Sequence, residues 1–368
     1  MEEIISKSVT IKDTLPTLSV CMIVKDGEVG LLKLLPEIKN IVDEIIIVDT
    51  GSKDNSKQVA LDNGAKVYDY IWDDNFGKAR NESLKYATKD FMMFLDDDDF
   101  IKRDDIFLIK TFLGKNKNCG IYLRLLDHLT NNEVTESTQL RIFPNHIGAE
   151  FRGKMHEQVS YSLQEKGIKL VFCNATINHY GYEDEVDIGK KLIRNFEALK
   201  EQLKNNPDDF SSLVFLARTA LAINQFNIAK DSINRAIELF KEGKCNLTQE
   251  PVLVAYITKA IVYDAEGKTL EAYKLLEGIK HLFPNDTALR LTIGEILFKL
   301  KKYDKVYKEI VFFRDEKLNI GPYPMNVSKV RENMRMMLLA SALYVGDMKT
   351  AEICMKKAIN DPNYKIKK

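Results

Sequence analysis

Four consecutive carboxylates directly follow a short apolar segment. The segment FMMFL occupies residues 91–95, and Asp96, Asp97, Asp98 and Asp99 come next. Apolar residues in a run this short, between polar flanks, predict a strand that is buried on both faces. Four adjacent carboxylates repel one another, and a divalent cation offsets that repulsion most simply, because Asp oxygens are hard ligands suited to Mg²⁺ or Mn²⁺. The alternative is a solvated acidic turn that caps the following helix.

Acidic residues also follow two other apolar segments. LSVCMIV at 18–24 precedes Asp26, and EIIIVD at 44–49 ends on Asp49. Ligands of open α/β sheets bind beyond the carboxyl ends of the strands, so we expect all three acidic groups at one edge of a sheet. A strand-end acid at the position of Asp49 hydrogen-bonds a ribose in dinucleotide-binding folds. Gly51 would let the backbone approach such a ligand closely. The alternative for Asp49 is a cap on the next helix.

Helical segments separate these strands. The spacing predicts a helix in VGLLKLLPEIKN, interrupted near Pro36, and a helix in SKQVALDNG with Ser52 or Asp54 as its N-cap. AKVYDYI at 65–71 is predicted as a strand, and KARNESLKYATKD at 78–90 as a helix. This alternation over about 100 residues predicts a largely parallel, doubly wound sheet.

The pattern changes after the acidic strand. GIYLRLLDHL and EVTESTQLRIF flank Asn131-Asn132, and EQVSYSL and IKLVFCNATI flank Gly167. Both turn signals are typical of hairpins. We therefore expect antiparallel strands from about 118 to 179 to complete the domain.

From about residue 185 onward the sequence is helical and repetitive. Small or apolar residues recur at equivalent positions of four units. The first position holds Ala217, Ala260, Gly294 and Ala340, the second Ala229, Ala272, Val306 and Ala351, and the third Ala236, Ile279, Phe313 and Ala358. The offset from Ala260 to Gly294 is 34 residues, which is the tetratricopeptide (TPR) period. Pro207, Pro284 and Pro362 lie where a unit would end.

These patterns divide the chain into three parts. We predict an N-terminal extension at 1–17, an α/β domain at 18–183 and an all-α, TPR-like repeat domain at 184–368. Repeat arrays present a concave surface, which typically holds a peptide or protein partner or forms a dimer contact. The alternative for the last part is an unrelated helical bundle.

Composition excludes several classes of protein. The 368 residues carry 54 basic and 54 acidic side chains, which argues against a general nucleic-acid or membrane-surface binder. The five cysteines lie far apart without a CxxC pair, as is typical of reduced thiols in a cytosolic protein. The start MEEIISKSVTIKDTL has no apolar core, and no apolar run approaches the ~20 residues that span a bilayer. We therefore expect a cytoplasmic protein without a membrane span.

Three motifs, in this order and spacing, resemble family 2 inverting glycosyltransferases of the GT-A fold. They lie within residues 17–182 and read LSVCMIVKDGE, EIIIVDTGSKDNS and WDDNFGKARNESLKYATKDFMMFLDDDD. The chain is similar to a subgroup with a TPR domain behind the transferase. This subgroup includes the enzymes that glycosylate bacteriocin peptides on Cys or Ser, of the sublancin S-glycosyltransferase type.

The resemblance implies a fold, a reaction and its partners. The fold would be an α/β GT-A nucleotide-sugar-binding domain with a mixed, mostly parallel sheet, followed by the TPR-like domain. The donor would be a UDP-sugar, with UDP-glucose favoured, and Mg²⁺ or Mn²⁺ would bridge its diphosphate. Transfer would invert the anomeric carbon. The acceptor would be a peptide held by the repeats, and a homodimer through the repeats is a further expectation.

The resemblance also implies roles for residues in the first half of the domain. Asp49 would contact uridine, and Asp26 with Glu28 would lie at the nucleotide turn after the first strand. An Arg before the acidic strand, here Arg80, holds a phosphate or orients the acids, unless it is merely an exposed helix residue.

The resemblance implies that Asp96 and Asp98 form a DxD motif, with Asp97 and Asp99 as two further carboxylates. Asp98 is our first choice for a metal ligand, and Asp96 would contact the ribose or the metal. The usual subgroup has Ala and Glu at the positions of Asp97 and Asp99. We group Asp97 with the nucleotide-binding residues, and Asp99 has no predicted role.

Two later segments supply the remaining candidates. FRGKMHEQ at 151–158 and INHYGY at 177–182 resemble segments that follow the DxD motif in this subgroup. His179 is a candidate third metal or diphosphate contact, or else a hydrogen-bonded structural residue. His156 and Glu157 are candidate bases, because an inverting transfer needs a group that takes the acceptor's proton. A thiol needs less help, since its pKa near ~8.5 leaves some thiolate at neutral pH.

Three other functions compete with this one. A phosphatase or phosphorelay domain also places acids after a parallel strand, but a DxD phosphatase needs Thr or Val soon after the second acid. Here Phe100 and Ile101 follow Asp99. A repeat scaffold that only binds nucleotide is disfavoured by intact acids after all three strands. Within the transferase class, a cell-envelope glycan or lipid is the alternative acceptor.

Overall fold

The computed structural model describes residues 15–129, 133–155, 157–182, 185–244, 249–315, 318, 321 and 324–359. The chain divides into two compact units, one of residues 1–132 and 138–185, the other of residues 133–137 and 186–368. Four features expected from the sequence lie wholly or mostly outside the described residues: the N-terminal extension, of which 1–14 are not described, the turn at Asn131-Asn132, the candidate base His156, and Pro362.

One mixed sheet organises the first unit. Its strands are β1 (Leu18–Val24), β2 (Glu44–Asp49), β3 (Lys66–Asp69), β4 (Phe91–Leu95), β5 (Asp99–Ile101), β6 (Cys119–Leu129), β7 (Val134–Pro144) and β8 (Lys169–Tyr182). Their order in the sheet is β3-β2-β1-β4-β7-β6-β8-β5. The short strand β9 (Met325–Asn326) pairs with Thr135 and Glu136 at the start of β7, and these residues all belong to the second unit.

Five helices accompany the sheet in the first unit. They are α1 (Glu28–Ile38), α2 (Ser56–Asp62), α3 (Phe76–Lys85), α4 (Arg103–Lys115) and α5 (Ser160–Glu165). Strand β1 is buried along its whole length. Leu18, Val20 and Met22 belong to one core cluster and Cys21 to another, as the two-residue period of a strand covered on both faces requires.

The parallel first half of the sheet is confirmed. β1 runs parallel to β2 and β4, and β2 runs parallel to β3. The acidic strand is likewise confirmed as β4. Helix α1 continues through Pro36 to Ile38 without the predicted interruption. Strand β5, which begins within the acidic run at Asp99, was missed because three residues are too few to carry a periodic signal.

The hairpin predicted around Gly167 is wrong. The segment EQVSYSL runs into helix α5, which spans Ser160–Glu165, so it supplies no strand that could form a hairpin with β8. Strand β8 instead runs parallel to β6 and antiparallel to β5. Gly167 adopts a left-handed conformation with φ of +68°, and the N–H of Ile168 donates to the carbonyl of Leu163. This is the Schellman end of a helix, so the glycine signal that predicted a turn between strands marks the end of α5.

The second unit is an array of antiparallel helix pairs. Its helices are α6 (Glu185–Asn205), α7 (Phe210–Ala222), α8 (Phe226–Lys241), α9 (Gln249–Ala265), α10 (Thr269–Ile279), α11 (Thr287–Lys299), α12 (Tyr303–Ile310), α13 (Val327–Val345) and α14 (Met348–Ile359). The four predicted units correspond to α7–α8, α9–α10, α11–α12 and α13–α14. The TPR-like, all-α prediction is confirmed.

Small residues allow the paired helices to approach each other. Ala217, Ala260, Ala229 and Ala272 are completely buried. A Cβ added to Gly294 in α11 would lie only 2.9 Å from a methyl carbon of Ile310 in α12. In the last unit Ala340 is only half-buried, whereas the following Ser341 and Ala342 are fully buried. The recurring small residues therefore identify the four units correctly, but the buried small residues of the last unit lie one or two positions after the predicted Ala340.

Side-chain caps mark where units of the array begin. Asp209, Asp286 and Asn326 precede α7, α11 and α13, and each accepts a hydrogen bond from a backbone N–H in the first helical turn. Pro207 and Pro284 stand two residues before the first two caps. No helix formed by the described residues is both long and apolar enough to span a bilayer.

Glu44 joins three segments of the first unit at the start of β2. Its carboxylate accepts hydrogen bonds from Ser19 Oγ at 2.7 Å, from the backbone N–H of Thr88 at 2.8 Å and from Lys66 Nζ at 2.8 Å. Burial opposes the negative charge, but these hydrogen bonds lower the pKa of Glu44 to about 2. Ionised Glu44 therefore stabilises the fold above its unfolded pKa of ~4.3, and this stabilisation is lost as the pH falls toward 2.

We expect Glu44→Gln to lower the free energy of unfolding at pH 7 by about 2 kcal/mol, because an ionised acceptor makes stronger hydrogen bonds than an amide. Chemical denaturation of both proteins between pH 7 and pH 2 tests this. The difference should shrink as the pH falls below ~4.3. Glu37→Gln, at an exposed position of α1, is the matched control. A difference that is independent of pH would contradict the role given to the charge.

Candidate active site

The acidic groups meet at one edge of the sheet, as expected. Val24 at the end of β1 pairs with Asp49 at the end of β2, and Met22 pairs with Leu95 at the end of β4. Because these strands are parallel, their carboxyl ends lie side by side, and the residues that follow them converge.

Only one of the two carboxylate oxygens of Asp49 accepts hydrogen bonds from the described residues. The side chain is 1% exposed, and Oδ1 accepts hydrogen bonds from the backbone N–H groups of Gly51 and Ser52, each at 3.0 Å. Oδ2 is buried and accepts no hydrogen bond from the described residues. Gly51 has a φ of +106°, which favours glycine. The capping alternative therefore accounts for one oxygen and leaves the other for a ligand.

Asp26 and Glu28 hold two loops together. Oδ1 of Asp26 accepts a hydrogen bond from the backbone N–H of Lys53 at 2.6 Å, and Asp26 itself has a φ of +54°. The carboxylate of Glu28 accepts from the backbone and side-chain amides of Asn55, both at 3.1 Å. Both acids fix the turn after β1 against the loop after β2. The structure thus places these predicted nucleotide-site residues beside Asp49, with their carboxylates bound to protein.

Arg80 lies buried between two carboxylates. Its Nη2 donates to Asp96 at 2.6 Å and its Nε to Glu157 at 2.5 Å, while the guanidinium lies 5.0 Å from the ring centre of Phe94. Burial opposes the charge on Arg80, but Asp96 and Glu157 raise its pKa above the usual value. Nη1 is buried and has no partner among the described residues. The alternative of an exposed helix residue is wrong, since only 7% of Arg80 is exposed.

Asp96 forms ion pairs with two arginines. Besides Arg80, Nη1 of Arg141 lies 3.3 Å from its Oδ2. Burial opposes ionisation, but the charges of Arg80 and Arg141 hold the pKa of Asp96 well below its usual range. The predicted metal or ribose contact therefore sits in a double ion pair.

Asp98, Asp99 and His179 form a compact group of possible metal ligands. One ligand atom from each lies within 4.8 Å of the others. His179 Nδ1 lies 2.9 Å from Asp99 Oδ1 and 3.2 Å from Asp98 Oδ1. Burial favours neutral His179, but the contacts of its Nδ1 with both carboxylates raise its pKa to about 11. Asp98 Oδ1 is buried without a hydrogen-bond partner of normal geometry among the described residues.

Glycine at position 181 leaves space in front of two ligand atoms. A Cβ built there would lie 2.5 Å from Asp98 Oδ2 and 2.7 Å from His179 Nε2. Both atoms therefore face one small volume. A carboxylate accepts but does not donate, so the Nδ1 that faces Asp99 carries a proton, and a metal at this position would bind Nε2 in exchange for the second proton of the ring. Oxygen and imidazole donors of this kind suit Mn²⁺ or Mg²⁺, so the residues fit the implied metal.

Asp97 lies against the start of helix α1. A Cβ at Gly27 would lie 2.3 Å from Asp97 Oδ2, and one at Gly30 would lie 1.7 Å from its carbonyl oxygen. Burial, together with the charges of Asp98 and Asp96, raises the pKa of Asp97 to about 7. This carboxylate packs against the helix rather than joining the Asp98 and His179 group.

Sequence reasoning missed Arg141 and the role of Asp99. Asp99 is 2% exposed and accepts from His179, from the backbone N–H of Asp96 at 2.9 Å and from Arg141 at 3.0 Å. The available signal was the sequence LRIF at 140–143, where an arginine interrupts a buried strand. A buried charge of this kind requires a partner, so Arg141 pointed to an acidic site.

Comparison with known proteins adds a family to this geometry. The family model described as Glycosyl transferase family 2 matches residues 19–175. An uncharacterized glycosyltransferase of Haemophilus influenzae is 33% identical over 262 residues, which are 66% of this chain and 96% of the relative.

Two further relatives are longer than the matched region. A TPR repeat-containing protein of Synechococcus elongatus is 30% identical over 52% of this chain and 49% of its own length. The SPbeta prophage-derived glycosyltransferase SunS of Bacillus subtilis is 25% identical over 63% of this chain and 56% of its own length. The chain thus spans about half the length of these two relatives.

We expect Gly181→Ala to weaken Mn²⁺ binding roughly tenfold or more while the fold is retained. The three atoms nearest to the added methyl group are at the ends of the Asp98 and His179 side chains, which can move at little cost to folding but then lose their joint orientation. Isothermal titration calorimetry with Mn²⁺ and thermal unfolding measure the two effects. Gly278→Ala is the control, because no atom lies within 4 Å of the added Cβ. Equal Mn²⁺ affinity in Gly181→Ala and wild type would contradict the assignment.

Proposed function

The chain is a glycosyltransferase of family 2, and from this premise we propose that it transfers a hexose from a UDP-sugar to a Cys, Ser or Thr side chain of a peptide. Transfer would be a single in-line displacement that inverts the anomeric carbon. UDP-glucose is the favoured donor, with Mg²⁺ or Mn²⁺ as the metal.

The buried polar atoms that lack partners carry this proposal. Among the described residues they are Asp49 Oδ2, Arg80 Nη1, Asp98 Oδ1 and Arg141 Nε. Such atoms are rare in folded proteins, because each costs roughly 1–3 kcal/mol when it stays unsatisfied. All four belong to strand-end or neighbouring residues of one acidic site. A ligand that supplies donors to the carboxylates and acceptors to the guanidiniums would satisfy them, and a nucleotide sugar with its metal has both.

Asp49 is suited to recognise the nucleoside. Its Oδ1 is held by the amides of Gly51 and Ser52, so the carboxylate cannot rotate freely and Oδ2 keeps a fixed direction. A fixed, buried acceptor selects a ligand N–H or O–H, because an unpaired carboxylate oxygen is costly. Uracil and ribose both offer such donors. Asp26 and Glu28 would support this contact by fixing the adjoining loops.

Asp98 and His179 would hold the metal, with Asp96 and Asp99 beside them. The bound cation would stabilise negative charge that develops on the departing diphosphate. The protein's own contribution is orientation: Asp99 fixes the His179 ring, and Arg80 with Arg141 fixes Asp96. Asp97 would contribute to the shape of the nucleotide site through its contact with α1.

Glu157 remains our proposed base, and His156 remains a candidate beside it. Arg80 holds Glu157 Oε1 and so fixes the direction of its carboxylate. A hydroxyl acceptor would need this group to take its proton as the new bond forms. A thiol acceptor would need it less, because thiolate is already present near neutral pH.

The helical repeats support a peptide as the acceptor. Antiparallel helix pairs stacked in an array form an extended surface that suits a peptide segment. The similarity to SunS covers 63% of this chain and so extends over more of it than the matched transferase region.

We expect Asp98→Ala to abolish metal-dependent transfer and to leave folding intact, because it removes a proposed ligand from a partly exposed turn. Release of UDP from UDP-glucose, measured with Mn²⁺ and with EDTA, tests this. Asp231→Ala, at an exposed position of α8, is the control. Near-normal, EDTA-insensitive turnover in Asp98→Ala would show that the metal assignment is wrong.

The acceptor is tested by intact-mass analysis of candidate peptides encoded beside the gene. Each peptide is incubated with the protein, Mn²⁺ and a panel of UDP-sugars. We expect the mass of one hexose to be added at Cys, Ser or Thr when UDP-glucose is the donor. Transfer only to envelope glycans or lipids would contradict the peptide proposal, and nucleotide binding without any UDP release would indicate a scaffold.

A further inference from the structure

Arg141 reaches the acidic site from a strand that carries none of the predicted site residues. β7 pairs antiparallel with β4, and the register joins Ile142 to Met93. Arg141 therefore lies level with the end of β4, where its Nη1 is 3.4 Å from the carbonyl oxygen of Phe94. A slip of one residue in this register would turn Arg141 to the other face of the sheet.

The guanidinium of Arg141 lies between two of the four acids. Nη1 is 3.0 Å from Asp99 Oδ2 and 3.3 Å from Asp96 Oδ2, and the side chain is only 3% exposed. The group also lies 5.0 Å from the ring centre of Phe94. Among the described residues its Nε is buried without a partner. The contacts with Asp96 and Asp99 hold the guanidinium in place, because leaving them would leave a buried charge uncompensated.

Asp99 links Arg141 to His179 by contacting both side chains. One oxygen of Asp99 faces Arg141 and the other faces His179 Nδ1 at 2.9 Å. β5 and β8 pair these two residues directly, so the backbone fixes their separation as well. Metal-binding histidines commonly donate their second N–H to a carboxylate, which sets the ring orientation. Here the nitrogen that remains, Nε2, faces the space beside Gly181 together with Asp98 Oδ2.

We propose that Arg141 is a positioning residue for the metal site, acting through Asp99 on His179. This inference rests on the proposed metal at Asp98 and His179. Arg141 holds the Asp99 carboxylate, Asp99 holds the imidazole, and the imidazole then presents Nε2 beside Asp98. Arg141 also offsets the repulsion between Asp96 and Asp99, which lets the two carboxylates stay close in the absence of substrate.

The role predicts a defect in metal binding itself. Mn²⁺ binding is measured from the electron paramagnetic resonance signal of free Mn²⁺, without donor or acceptor. Loss of such an outer-shell partner typically weakens metal binding 10–100-fold. We expect a loss in this range for Arg141→Gln and at least about threefold for Arg141→Lys, since lysine keeps the charge but not the fork that spans two carboxylates. Arg152→Gln, at an arginine that pairs with Glu150 and Glu165, should bind Mn²⁺ like wild type.

A double-mutant cycle tests the route through Asp99. Asp99→Asn alone should weaken Mn²⁺ binding, and adding Arg141→Gln to it should cost less than about twofold more, because the two residues act as one unit. Losses that multiply fully would overturn the proposed route.

Near-UV circular dichroism establishes which variants are folded. If Arg141→Gln does not fold, Arg141→Lys decides the question. A folded Arg141 variant whose Mn²⁺ affinity lies within twofold of wild type overturns the role of Arg141 alone. Wild-type protein that binds no Mn²⁺ yet releases UDP from UDP-glucose overturns the metal assignment on which both proposals rest.

Discussion

Charge compensation by two buried guanidiniums is the condition on which the acidic site depends. Asp96 to Asp99 and Glu157 bring five carboxylates together, and Arg80 and Arg141 are the arginines paired with them. Without these cations, carboxylates this close and this poorly hydrated would take up protons or separate. Even with His179 protonated and Asp97 partly neutral, the cations do not balance the carboxylates, so the site retains an excess of negative charge in its ligand-free form. That excess is the electrostatic reason for the divalent cation proposed at this site.

The sheet topology explains why the short turn between β4 and β5 contacts two different parts of the sheet. β4 lies near the middle of the sheet, whereas β5, which begins only four residues after β4 ends, pairs with β8 at the edge of the strand order. The intervening acids therefore span from the ends of β1 and β2, where the nucleotide is proposed to bind, to His179 on β8. Asp96 stays with the arginines and Asp98 and Asp99 face the histidine, so adjacent and chemically identical residues take different tasks.

Glycines set the distances that the charges require. Gly27 and Gly30 let α1 contact Asp97 directly, and Gly181 leaves the space that Asp98 and His179 face. In the helical unit, Gly294 and buried alanines have the corresponding effect on paired helices. In each case the missing side chain permits a close approach, because the neighbouring atoms already occupy the volume that a Cβ would need.

The sequence by itself determined the parallel half of the sheet, the acidic strand and the repeats, because buried strands and paired helices leave periodic apolar patterns that need no distant partner. The tertiary structure decided what the patterns leave open. It assigned Gly167 to a helix end instead of a hairpin, since both use the same left-handed glycine. It also determined which partner each of Asp96 to Asp99 contacts and placed Arg141 beside them. The role of a carboxylate depends on which cation or imidazole faces it. Arg141 and His179 lie 45 and 80 residues along the chain from the carboxylates that they face, Asp96 and Asp99, and they meet them only through strand register.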